Sequence, residues 1–169
     1  ILDPPAQPKS ISRGGWVNPA SRIQDRVGGR PGYNAAMHSE WNERMQSFIR
    51  STLGCGCPDQ ILQRIDFTRT DLAQEPAVKL SRIDVGGQLL VYVLEGEEDP
   101  TRLSDVLPAI ISTGLIERGK REFNRLRVVV AADRPDELQP VLERLFDASA
   151  PKDDKLHLHV ISTMELPFD

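Results

Sequence analysis

Gly86-Gly87-Gln88-Leu89-Leu90-Val91-Tyr92-Val93-Leu94-Glu95 is the stretch that decides the fold. The two glycines separate a run at 78–85 (Val78, Leu80, Ile83, Val85) from a second at 89–94, and paired glycines between such runs are the backbone chemistry of a tight hairpin. The second run is apolar on both alternating phases, which predicts a strand covered on both faces. Leu126 to Ala132 has the same character. Between them, Asp99-Pro100 starts a helix with Leu103, Val106, Leu107, Ile110 and Ile111 on one stripe, Pro108 expected to bend it and Gly114 near its end. Asp133 to Glu137, with Pro135, opens another helix carrying Leu138, Val141, Leu142, Leu145 and Phe146. Leu156 to Ser162 reads as the last strand. Two strand-helix-strand units with buried strands predict an α/β fold: a small mixed sheet with a parallel βαβαβ core and an antiparallel hairpin at its edge. A ferredoxin-like split arrangement is the competing topology.

Upstream of the hairpin, Ile65 and Phe67 alternate with polar neighbours, predicting a strand at 64–69 followed by a polar loop from Asp71 to Glu75. Trp41, Met45, Phe48, Ile49 and Leu53 keep the helix period, so a helix is expected over 39–53, capped by Ser39 and stopped by Gly54. Pro58 suits a first helical position and Gln60 a capping-box position, predicting a short helix over about 58–64. Together these form an N-terminal helix pair. Residues 1–36 differ from everything after them. They hold five of the 13 prolines and five of the 12 glycines, with no apolar period, too little to build a core of their own. Trp16, Ile23 and Tyr33 are nevertheless spaced through the stretch as apolar anchors. The expected organisation is an extended arm at 1–36 and a compact domain at 37–169.

The 169 residues are 39% hydrophobic and 27% charged, the range of a single globular domain with an appendage. No window reaches the length of a membrane span, and Ile1 to Lys9 lack the order of a secretory signal. The net charge of −4 is unevenly placed: the first 36 residues sum to +3 and the remainder to −7. An acidic body repels phosphate backbones and anionic headgroups, so nucleic acid is not a preferred partner. The basic arm, with Arg26 and Arg30 beside its anchors, suits an acidic protein surface.

Cysteine occurs only as Cys55 and Cys57. A bridge between them would close a very small ring, so the expectation is a reduced pair in a reducing, cytoplasmic compartment. In Cys55-Gly56-Cys57-Pro58, a Cys57 sulfur at the mouth of the short helix would face unpaired N–H groups that favour thiolate. Cys57 would then attack and Cys55 resolve. Two thiolates one residue apart also suit zinc or another soft metal. His157 and His159, two apart in a strand, share a face and would complete a Cys2His2 set for zinc or a Rieske-like cluster. The alternatives are small buried cysteines at a helix corner and solvated histidines. Acidic residues beyond the strand ends (Glu95, Glu97, Glu98, Asp99, Asp133, Asp136) stand where open sheets bind ligands, though Asp before Pro is also an ordinary helix start. No glycine pattern forms a phosphate loop, and no Gly-x-Ser-x-Gly turn is present.

Three functions remain. The first is an accessory or interaction subunit of a larger assembly, docking through the arm and the acidic body rather than catalysing a reaction. The second is a thiol-dependent module, an oxidoreductase, transferase or sulfur or metal carrier using the cysteine turn. The third is a metal-binding protein with Cys55, Cys57, His157 and His159 as ligands.

Overall fold

The computed structural model of the protein describes residues 31–72 and 75–168. Helix α1 (Pro31–Ser47) runs into a π-helical turn at Phe48–Thr52, and the one-turn helix α2 (Asp59–Leu62) follows. Then come β1 (Ile65–Leu72), β2 (Glu75–Val85), β3 (Leu89–Glu95), α3 (Pro100–Arg121), β4 (Arg125–Ala132), α4 (Pro135–Ser149) and β5 (Leu156–Ser162), and a 3-10 turn at Thr163–Glu165. The five strands form one sheet in the order β1-β2-β3-β4-β5. Pairing is antiparallel from β1 to β3 and parallel from β3 to β5. The α/β expectation therefore holds, and the interleaved order of a ferredoxin-like split is not formed.

Strand alternation divides the core into two. Leu90, Tyr92 and Leu94 of β3, with Leu126, Val128 and Val130 of β4, pack against Leu103, Val106, Leu107 and Ile110 of α3 and Leu138 and Leu142 of α4. Leu89, Val91 and Val93, with Val129 and Ala131, meet Met45, Phe48, Ile49, Leu53, Leu62 and Phe168 on the opposite face. Crossovers of one hand in a steadily advancing strand order place both of their helices on one side. The apolar residues of the other phase must then be covered by the N-terminal helices. Met45, Phe48, Ile49 and Leu53 are each at most 3% exposed, and each contributes about 1.5–3 kcal/mol by leaving water.

Element boundaries differ from those that local capping signals predict. Helix α1 begins at Pro31, so Tyr33 belongs to it rather than to an extended arm. Ser39 lies within that helix, its hydroxyl donating to Glu43 Oε1 at 3.3 Å. Trp16, Ile23, Arg26 and Arg30 lie outside the described residues. Pro58 is the N-cap of α2, not its first helical residue, and has no capping side chain. In place of the loop expected from Asp71 to Glu75, β1 runs through Leu72 and β2 starts at Glu75, with a register irregularity between Thr70 and Leu72.

Two glycines are required by close approach. Gly114 lies well inside α3, and a Cβ there would sit 2.8 Å from Leu126 Cδ2 and 3.3 Å from Tyr92 Cδ2. It marks contact with the sheet rather than the helix end, which comes at Glu122 (φ 60°) with the Phe123 N–H donating to the Arg118 carbonyl at 3.1 Å. Gly86, with φ 58°, would place a Cβ 2.8 Å from Ile61 Cγ2 and 2.9 Å from the Ile61 carbonyl oxygen. Its N–H donates to the Arg64 carbonyl at 2.7 Å, so the hairpin turn is tied to the segment that follows α2. Among the described residues, no helix is long and apolar enough to cross a membrane.

Candidate functional site

The π turn prepares the cysteine segment. The Leu53 N–H donates to the Phe48 carbonyl and the Cys55 N–H to the Ile49 carbonyl, both at 3.0 Å. The widened backbone turns Leu53 and Cys55 inward, and both are buried. Gly54 then adopts φ 61°, a left-handed conformation that glycine enters without steric cost. The Cα atoms of Cys55 and Cys57 end 5.2 Å apart and their sulfurs are joined in a disulfide. This departs from the expectation of free thiols: the turn brings the two Cα atoms inside the separation of about 4.4–6.8 Å that a bridge requires.

The two sulfur-bearing residues are unequally placed. Cys55 is 3% exposed and belongs to the core under α1. Cys57 is half-buried and lines a cleft of about 250 Å³ with Pro58, Ile61, Leu89, Asn124 and Arg125. The expected helix mouth is not there: α2 is a single turn, and Cys57 precedes its cap. Positive charge reaches the cleft from Arg125 instead.

Alternation puts His157 and His159 on the α1 face of β5 with Ile161, as their spacing predicts, opposite Arg127 and Val129 of β4. His157 is exposed, with Nε2 2.8 Å from the Asp154 carbonyl oxygen. His159 is half-buried. Burial, then the charges of Arg127 and His157, push its pKa down to about 4. The histidines and cysteines do not unite: among the described residues no three His, Cys, Asp or Glu side chains gather as a metal-binding group, and the sulfurs are bonded to each other. The Cys2His2 set for zinc, another soft metal or a Rieske-like cluster is thus not assembled.

The acidic residues beyond the strand ends hold local structure through backbone and side-chain partners. Asp99 caps α3 by accepting from the Thr101 N–H at 2.9 Å, and Glu97 accepts from the Asp99 N–H at 3.1 Å. Glu98 accepts from the Asp133 N–H at 2.5 Å, while Asp133 accepts from the Thr163 hydroxyl at 2.8 Å. Glu95 pairs with Arg69 and accepts from Ser81.

Two buried ionic features escaped the sequence reading. Glu117 of α3 accepts from Arg82 Nε at 2.8 Å and from the Tyr92 hydroxyl at 2.5 Å, while Arg121 reaches both Glu117 and Asp84. Arg82 Nη2 lies 2.7 Å from Glu117 Oε1, an ion-pair contact outside hydrogen-bond alignment. Burial acts to raise the Glu117 pKa, but the bonds from Arg82 and Tyr92 outweigh it and hold the carboxyl below its usual value. The second feature is Arg127 of β4, 7% exposed, whose Nε and Nη1 are buried without a partner among the described residues, as is His159 Nε2. A charged residue in phase with apolar ones, as Arg82 and Arg127 are, was the available signal. Comparison of the chain with protein-family models, with curated proteins and with solved structures returns no match.

Proposed function

We propose that the chain is a thiol–disulfide exchange module whose working element is the Cys55-Gly56-Cys57-Pro58 turn. The observation that supports this reading is the unequal burial of the pair, Cys57 at a cleft and Cys55 behind it in the core. Exchange requires in-line access to one sulfur and a leaving thiolate on the other. A thiolate of a partner dithiol attacks Cys57 Sγ, forming a mixed disulfide and breaking the Cys55–Cys57 bond, whose electron pair leaves on Cys55 Sγ and takes up a proton. The partner's second thiolate then attacks its own sulfur in the mixed disulfide and releases Cys57. The partner dithiol is oxidised to a disulfide and this chain's disulfide is reduced to a dithiol. In reverse, Cys57 attacks and Cys55 resolves. Arg125 lines the same cleft as Cys57 and presents a positive charge to an incoming thiolate.

Single-cysteine variants test the assignment. In Cys55→Ser the remaining Cys57 should form a mixed disulfide with oxidised glutathione at least about tenfold faster than Cys55 does in Cys57→Ser. Equal rates, or no reaction by either folded variant, removes the proposal.

A second reading, an interaction subunit, is favoured by a different observation. Met37, His38, Trp41 and Phe67 line an apolar cleft of about 400 Å³ where α1 crosses β1, and Met37 is 57% exposed. An apolar hollow on an otherwise acidic body suits a partner's apolar side chain. Replacing Trp41 with Ala would abolish co-purification of such a partner from native cells while sparing exchange at the cysteines.

A further inference from the structure

The α1 face of the sheet carries a cationic cluster that shares Arg125 with the Cys57 cleft. Arg125 and Arg127 alternate onto this face from β4, and His157 and His159 do so from β5, with Arg127 registered directly opposite His157. Their proximity is felt electrostatically: Arg127 has its pKa lowered by burial and then by Arg125, and His159 by burial and then by Arg127 and His157. A guanidinium stays charged wherever it is placed. Removing one from water without an acceptor forfeits several hydrogen bonds at once, which is why buried charges in folded proteins are paired. Arg82, on the same sheet and similarly buried, obeys that rule through Glu117. Arg127 Nε and Nη1 do not, and His159 Nε2, one same-face step along β5 from the residue opposite Arg127 and within reach of its charge, is also unpartnered among the described residues.

We propose that Arg127 and His159 form a binding site for a small oxyanion, a carboxylate or a phosphate, with Arg125 and His157 at its rim. The chemistry of the donors selects the class of ligand. A guanidinium presents N–H groups in a plane that matches paired oxygens, and charge-assisted bonds of this kind are about twice as strong as neutral ones. An imidazole next to it adds a donor once an anion neutralises the repulsion from Arg127. A metal cation is repelled by the same charges. Arg127 keeps 7% of its surface open, and Arg125 and His157 are exposed, so the approach is from the β4–β5 side of the face.

The test uses the full chain and follows the imidazole resonances of His157 and His159 by NMR while inorganic phosphate, and separately acetate, is added. Saturable movement of the His159 signals is expected, with a rise of its pKa by about one unit or more as an anion comes to stand beside the ring. Arg127→Gln should weaken the response at least about tenfold, and His159→Gln, followed through His157, should weaken it less. A response to phosphate alone assigns a phosphate-type ligand, and a response to acetate as well assigns a carboxylate-accepting site. Absence of a saturable response to both probes overturns the proposal. So does an equal response in Arg127→Gln, or a His159 pKa already at its ordinary value in anion-free buffer, which would show the guanidinium paired within the chain.

Discussion

Arg82 and Arg127 are both buried, both placed on a central region of the same sheet, and both in phase with apolar neighbours, yet their surroundings are opposite. On the α3/α4 face, Arg82 is held by Glu117, approached by Asp84 and laid over the Phe123 ring. On the α1 face, Arg127 has a second arginine and two histidines for company. The first arrangement is closed, its charges spent on one another. The second is open in the chemical sense, a concentration of donors with too few acceptors among the described residues. A charge enclosed with its partners holds the fold together, whereas a charge enclosed without them weakens the fold until something binds it.

The largest expected effect tests the closed side. Glu117→Ala leaves Arg82 in a low-dielectric site with only Asp84 nearby, and should lower stability to urea by about 3 kcal/mol or more. A loss below about 1 kcal/mol would mean that the cluster is solvated and the contrast is false. Next is Gly86→Ala, which adds a methyl against the Ile61 backbone at a left-handed residue. It should lower stability to urea by roughly 2–3 kcal/mol, and a loss below about 0.5 kcal/mol would mean that α2 is not held against the hairpin.

The open side predicts a pH dependence. His159 has a folded-state pKa of about 4, below its ordinary 6.5, because burial and Arg127 disfavour its charged form. Between those values the unfolded chain binds a proton that the folded chain refuses, so this contribution is full above pH 6.5 and is lost as pH falls toward 4. Its size is on the order of 3 kcal/mol at most, and His159→Gln should flatten that part of a stability curve measured in anion-free buffer. The smallest effect is the most pointed. Arg127→Met should leave stability unchanged or raise it by about 1 kcal/mol in the same buffer, whereas the corresponding Arg82→Met should not. Equal losses in the two variants would abolish the distinction between the faces.

Much of the sheet was legible because burial on two sides leaves an unmistakable pattern. Leu89 to Leu94 and Leu126 to Ala132 could only be central strands, and Asp99-Pro100 and Pro135 opened their helices where expected. Ser39 misled, since a helix that continues through a serine looks locally like one that starts there. The long strands around 71–75 were hidden because backbone pairing, not side-chain polarity, extended them. Of the candidate site, the shared face of His157 and His159 follows from a two-residue period and was readable. The bonding of Cys55 to Cys57 rests on the π turn and the φ of Gly54, neither of which leaves a mark in residue type. Glu117 lies 35 residues from Arg82, and no local pattern announces a partner at that distance.

The sequential strand order carries a kinetic consequence. Each strand joins the edge left by its predecessor, so no segment has to be threaded between two that have already paired. Assembly can spread outward from the Gly86-Gly87 hairpin in both directions, closing loops no longer than one helix at a time.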